Sequence, residues 1–140
     1  MTHEQLLESY ARLTVRTGLN LQRDQQLVIT APLEAVALVR RITEQAYEAG
    51  ASLVTTIYAD DETTLARYRL ATEEAFDAAP GWLFNGMAEA FRGGAARLAI
   101  AGENPSLLAG QDPAKLSRAN KARSRAYRPA LELITGFAIN

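Results

Sequence analysis

Three short runs rich in strand-forming residues, each followed by a stretch with helical apolar spacing, constrain the fold of this chain more than any other feature. The runs are Gln26–Ala31, Ser52–Tyr58 and Ala96–Ala101, the last being the least β-branched. A fourth opens at Ile134 and continues Thr135-Gly136-Phe137-Ala138-Ile139-Asn140 to the end of the sequence. Strands that alternate with helices build βαβ units, whose crossovers share one hand, so that helices cover both faces of a parallel sheet. The expected class is α/β, a three-layer sandwich with a mostly parallel sheet of the Rossmann or flavodoxin-like kind, incomplete at the C-terminus. The last run has no turn, cap or polar tail behind it, whereas chain ends are usually polar and tolerant of fraying. Residues 1–140 are therefore expected to form a single α/β domain, the N-terminal part of a longer two-domain protein.

The helices carry their own punctuation. Thr2 and Gln5 have the spacing of a capping box, ahead of Leu6, Leu7, Tyr10, Leu13 and Thr14 as an apolar face, with Gly18 as a stop. Pro32 is expected at the first position of a second helix, where a missing N–H loses no partner, with Thr30 or Ala31 as its cap. That helix ends at Gly50, a residue suited to a left-handed stop. Asp60-Asp61-Glu62 follows the second run and caps a third helix through Leu65, Tyr68 and Leu70. Thr72 starts a short helix before Pro80-Gly81. Trp82, Leu83, Met87, Ala90 and Phe91 then predict the buried stripe of another, closed by Gly93-Gly94. Asp112-Pro113 reads as a cap with proline behind it, opening a long helix to about Leu133.

In open α/β sheets ligands collect beyond the carboxyl ends of the strands. That selects the loops 30–33, 59–62 and 102–105, with Thr30, Asp60 and Asn104 as the cleft-facing candidates. The first loop has no glycine to let a backbone approach a pyrophosphate, and no phosphate loop ending in Gly-Lys-Ser/Thr is present, which disfavours a dinucleotide cofactor. The acidic triplet at 60–62 suggests a divalent cation or a phosphorylated receiver pocket, but helix capping accounts for it more simply. His3 is the one histidine and sits beside Glu4 near the terminus, and there are no cysteines. No catalytic set and no metal-ligand set is assembled, since a metal site needs several converging ligands. Glu73 and Glu74 are adjacent and point about 100° apart on a helix, unlike a catalytic carboxylate pair.

Charge is distributed unevenly. The chain as a whole carries a formal charge of −1, which predicts no general attraction to nucleic acid or anionic membrane. Lys115, Arg118, Lys121, Arg125 and Arg128 nevertheless fall on one stripe of the long helix, with Arg123 beside them and no acid between Asp112 and Glu132. The first 111 residues hold nine basic and fourteen acidic side chains, a charge of −5. The five residues of the stripe make a candidate docking helix for an acidic surface, and nucleic acid is disfavoured because phosphate readers usually add exposed aromatics. The opposite face, Leu116, Ala119, Ala122, Ala126, Ala130 and Leu133, permits close backbone approach. The N-terminus lacks the pattern of a signal peptide and no apolar run approaches 18 residues, so the expected location is the cytoplasm, with no membrane partner.

The order of these segments resembles the N-terminal domain of the thermophilic metalloaminopeptidase family, of the aminopeptidase T, S and II type. The resemblance is carried by Leu6-Leu7-Glu8-Ser9-Tyr10-Ala11 through Gly18-Leu19, and by Asp24-Gln25-Gln26-Leu27-Val28-Ile29. It continues in Ala46-Tyr47-Glu48-Ala49-Gly50-Ala51, in Leu53–Tyr58, in Glu103-Asn104-Pro105 and in Ala119-Asn120-Lys121-Ala122-Arg123. It implies an enzyme that removes N-terminal amino acids from peptides, a homodimer, with a pair of divalent cations such as cobalt, zinc or manganese. It also implies that the metal ligands belong to a C-terminal domain, so that no catalytic or metal-binding residue maps onto this sequence, this piece alone binds no cofactor and is inactive, and peptide is engaged through the missing domain. Two other classes stay open on the residues themselves: a stand-alone α/β module for a small anion at the strand ends, and a nucleic-acid module using the basic helix 113–133.

Overall fold

The computed structural model describes residues 2–102 and 106–135. Helix α1 (His3–Leu13) begins with the expected capping box: the Thr2 hydroxyl accepts from the Gln5 N–H, and the Gln5 side chain accepts from the Thr2 N–H at 2.9 Å. The helix widens into a π turn, Thr14–Gly18, where the Leu19 N–H reaches back to the Thr14 carbonyl at 2.8 Å. Strand β1 (Gln26–Pro32), helix α2 (Val36–Glu48), strand β2 (Leu53–Ala59) and helix α3 (Asp61–Leu70) follow. A 3-10 segment, Glu73–Asp77, leads to helix α4 (Gly81–Arg92), strand β3 (Ala96–Ala99) and helix α5 (Pro113–Thr135).

The sheet is parallel throughout, in the order β2-β1-β3. Being central, β1 is buried on both faces, which explains its nearly continuous apolar run. Side chains alternate across a strand. Leu27, Ile29 and Ala31 therefore face one layer, packing with Ala11 and Val15 and with Val39, Ile42 and Ala46 of α2. Val28 faces the other, against Phe84, Met87, Ala88 and Phe91 of α4 and Ala130 of α5. Full burial of Leu27 and Ile29 contributes about 1.5–3 kcal/mol each. This is the expected three-layer α/β sandwich. Arg97 of β3 pairs with Val28, so it lies on the α4 and α5 side, where its Nε is buried with no hydrogen-bond partner among the described residues. A charge pointing inward from an outer strand discourages pairing with a foreign strand.

Loop hydrogen bonds hold the amino edge of the sheet. Asp24 donates its N–H to Gly50, Ser52 donates to Gln25, and the Gln25 side chain donates to Gly94 at 3.0 Å. Gly50 closes α2 at φ 101°, the left-handed conformation expected for it. Helices α4 and α5 meet through small residues and an edge-to-face contact between Phe84 and Tyr127, with ring centroids 5.2 Å apart.

Several expectations are corrected. Pro32 ends β1 and precedes a 3-10 turn, Leu33–Ala35, so it stands as the cap and not inside the helix. Its extended ψ of 151° sets the exit of the chain from the sheet. On α1 the buried side is Ala11 with half-buried Leu7 and Thr14, whereas Leu6, Tyr10 and Leu13 are more than half exposed. On α4 Trp82 is 78% exposed and Phe84 takes the inner position. Ile134 and Thr135 continue α5 and do not begin a strand, while 136–140, where that fourth strand was expected, lie outside the described residues. Strand β3 ends at Ala99, although the Ile100 N–H still bonds the Thr30 carbonyl at 2.8 Å. Among the described residues, no helix is long and apolar enough to cross a membrane.

Candidate functional site

The parallel register brings the carboxyl ends of all three strands to one edge. Pro32 pairs with Ala59, immediately before Asp60, and Thr30 pairs with Ala99. A β carbon built on Gly102 would lie 3.2 Å from Pro32 Cγ, so the loop after β3 runs against the loop after β1. The helix after β1 packs on one face and α5 on the other, which makes the junction of β1 and β3 the point where connections diverge, the usual place for a crevice in such sheets. Thr30 and Asp60 thus share this edge, while Asn104 lies outside the described residues.

The chemistry of Asp60 is already committed. Its carboxylate accepts from the Thr63 N–H at 3.3 Å and its carbonyl accepts from the hydroxyls of Thr63 and Thr64 at 2.9 and 3.1 Å. Asp61 and Glu62 occupy the first turn of α3, where the exposed N–H groups favour negative charge. Among the described residues, no three His, Cys, Asp or Glu side chains come together as a metal ion would require. The described residues do not fit a metal centre, and no metal-dependent step is assigned to them.

Helix α5 divides its cations between two tasks. It opens as expected, with the Asp112 carboxylate accepting from the Ala114 N–H at 2.9 Å ahead of Pro113. Its first turns meet the 3-10 segment. Arg118 makes a two-pronged ion pair with Asp77, Nε to Oδ1 at 2.9 Å and a terminal nitrogen to Oδ2 at 2.6 Å. The Lys115 ammonium lies 5.6 Å from the centre of the Phe76 ring. Arg67 of α3 approaches the same ring at 5.3 Å and donates to the carbonyls of Ala75 and Ala78. Phe76 is fully buried, beside Tyr68 and Ala119. The hydrogen bonds from Arg118 hold the Asp77 carboxyl below the usual aspartate range, and the same bonds push the Arg118 guanidinium up.

Lys121, Arg125 and Arg128 are left facing outward. With Pro113, Leu116, Ser117, Asn120 and Ser124 they form an open, shallow face along α5. None of the three cations is in an ion pair among the described residues. Of the five stripe residues named from sequence, then, Lys115 and Arg118 hold the fold and the other three line an open surface. Sequence reasoning missed Phe76, Asp77 and Arg67, which come together only through tertiary contacts. It also missed Ser117, Asn120 and Ser124, whose spacing of three and four places them on the same stripe as Lys121 and Arg128.

Comparison with known proteins gives consistent matches. The family described as thermophilic metalloprotease (M29) matches residues 3–140. Aminopeptidase T of Thermus thermophilus is 54% identical over 134 residues, which make up 96% of this chain and 33% of that protein. Aminopeptidase 2 of Geobacillus stearothermophilus is 41% identical over 131 residues, 91% of this chain and 32% of that one. The solved structure of wild-type AmpT from Thermus thermophilus superposes with a TM-score of 0.95 at 52% identity, covering 99% of this chain and 35% of its own. The chain therefore spans about a third of the length of the curated relatives it matches.

Proposed function

Since the chain belongs to the thermophilic metalloprotease family M29, we propose that it is the N-terminal, non-catalytic domain of a metal-dependent aminopeptidase that removes N-terminal amino acids from peptides. One observation carries this reading: identity of 54% runs across 96% of the chain to an aminopeptidase T of which it spans only 33%. The metal centre, a pair of cobalt, zinc or manganese ions, belongs in this reading to the remaining two thirds of the longer protein, which acts as a cytoplasmic homodimer. In this reading the loops at the carboxyl edge of the sheet, with Thr30 and Asp60, help shape or cover the active-site cavity, and the basic face of α5 docks on the catalytic domain.

The test is a comparison of two proteins. The longer protein is expected to release amino acids stepwise from the N-terminus of a peptide, to lose that activity on chelation and to regain it with one of the three metals. Residues 1–140 alone are expected to release none. Chelator-sensitive hydrolysis by the 140-residue chain would overturn the non-catalytic role. Failure of the longer protein with every metal would overturn the aminopeptidase reading itself.

A further inference from the structure

We propose that helix α4 carries the contact between two copies of this chain, Trp82 of each seating in a hollow beside α4 of the other where the two helices cross antiparallel at Gly86. Trp82 is 78% exposed and lies on the side of α4 away from the buried Phe84, Met87, Ala88 and Phe91. A single bare ring means little by itself, but here a receptor for it lies on the same helix. A half-open hollow of about 290 Å³ is lined by Gly86, Glu89, Ala90 and Gly93 along α4 and its C-cap, and by Gln26 and Ala95 from the sheet side. Leu53 pairs with Gln26, so the two side chains share a face, and half-exposed Leu53 extends an apolar rim toward β2.

Gly86 supplies an independent sign. Glycine weakens a helix interior, yet a β carbon added at Gly86 meets nothing within 4 Å, so no neighbour in this chain requires its absence. Along the axis Gly86 stands about 6 Å from Trp82 and about 6 Å from Ala90 on the other side. A two-fold axis beside Gly86 therefore carries Trp82 of one copy to the level of the partner's Ala90, over the hollow, and the bare glycines let the helices approach. Glu89 and Gln26, both exposed, offer acceptors to the indole N–H. A two-fold contact needs knob and hollow on one self-complementary surface, and α4 has both. A different partner would have to bring a second knob and a second hollow of its own.

The contact is small, since two rings bury about 300–500 Å² between them, and its dissociation constant is expected on the order of tens of micromolar. At the low micromolar concentrations of circular dichroism the chain is then monomeric and Trp82 open to water. Trp82 is the one tryptophan of the sequence, so its fluorescence reads the contact directly. Raising residues 1–140 from about 1 µM to about 500 µM is expected to bring the sedimenting mass to two chains and to shift the emission to the blue in step. Gly86→Lys, which favours the helix, is expected to stay monomeric with unshifted emission and to unfold no earlier than the unaltered chain. Arg12→Gln on α1 is expected to dimerise normally. A chain monomeric throughout, a dimer with unshifted emission, or a Gly86→Lys variant that dimerises as the unaltered chain does would each overturn the proposal. The inference rests on the homodimer of the reading above, and the longer protein separates the two. A longer protein that remains a dimer with Gly86→Lys in place overturns this surface alone, whereas failure to cleave peptides overturns the aminopeptidase reading and leaves the contact to the sedimentation result.

Discussion

Replacing Phe76 by alanine is expected to be among the most damaging single changes in this chain, although the residue sits in a five-residue segment between helices. Its ring is wholly removed from solvent, its centre 5.2 Å from that of the tilted Tyr68 ring, and is flanked by Arg67 and Lys115. Truncating a buried phenylalanine costs about 3–5 kcal/mol, combining lost transfer energy with the cavity left behind. For a chain of this size, with roughly 2.1 cal/mol/K of unfolding entropy per residue, 4 kcal/mol lowers the melting temperature by about 14 °C. Trp82→Ala is the control. Its ring is larger but 78% exposed, and an exposed side chain with no special contact is worth within about 0.5 kcal/mol, or less than about 2 °C. Thermal unfolding followed by circular dichroism on the 140-residue chain measures both. A Trp82→Ala loss equal to that of Phe76→Ala would refute the assignment of the core to the 3-10 segment.

The remaining predictions concern turns, caps and charge. Gly50→Ala forces a β carbon into a φ of 101°, 3.1 Å from Arg23 Cγ and 3.3 Å from Arg23 Cα, and is expected to cost at least about 1–2 kcal/mol, read as a lower urea midpoint. Thr2→Ala removes the capping box of α1 and is expected to cost about 0.5–2 kcal/mol, seen as faster amide exchange in the first turns of that helix. Asp77 has a lowered pKa in the folded chain, so its pair with Arg118 stabilises above the ordinary aspartate range and that contribution is lost as pH falls through the lowered value. Asp77→Asn should therefore be less stable than the unaltered chain near neutrality and should converge with it in strong acid, as followed by unfolding midpoints across pH.

Signals confined to a few neighbouring residues were legible. The capping box at Thr2 and Gln5, the Asp60 cap, the left-handed Gly50 and the Asp112-Pro113 opening all act within one turn of chain, and the strands alternate with helices as read. What was not legible depends on partners far along the sequence. Asp77 meets Arg118, 41 residues on, so nothing near Asp77 marks it as paired. On α4 two apolar stripes overlap, one through Trp82 and one through Phe84, and only the position of the sheet decides which turns inward. Pro32 was expected inside a helix because its fixed φ suits that place, but φ near −70° suits the end of a strand equally. In the candidate site the basic stripe was visible as charge. Its division into Lys115 and Arg118, which grip Phe76 and Asp77, and Lys121, Arg125 and Arg128, which face outward, required the fold.

The strand order also sets a sequence of assembly. Pairing β1 with β2 closes about 27 residues, whereas pairing β1 with β3 closes about 69, an entropic difference of roughly 0.8 kcal/mol before any contact is made. The half containing β1, α2 and β2 emerges first from the ribosome and can collapse on α1, leaving Val28 and the other side of β1 bare until α4 and β3 have been synthesised. In that interval the nascent chain presents a half-covered apolar sheet, and the span that chaperones must shield runs from the synthesis of β2 to the arrival of α5.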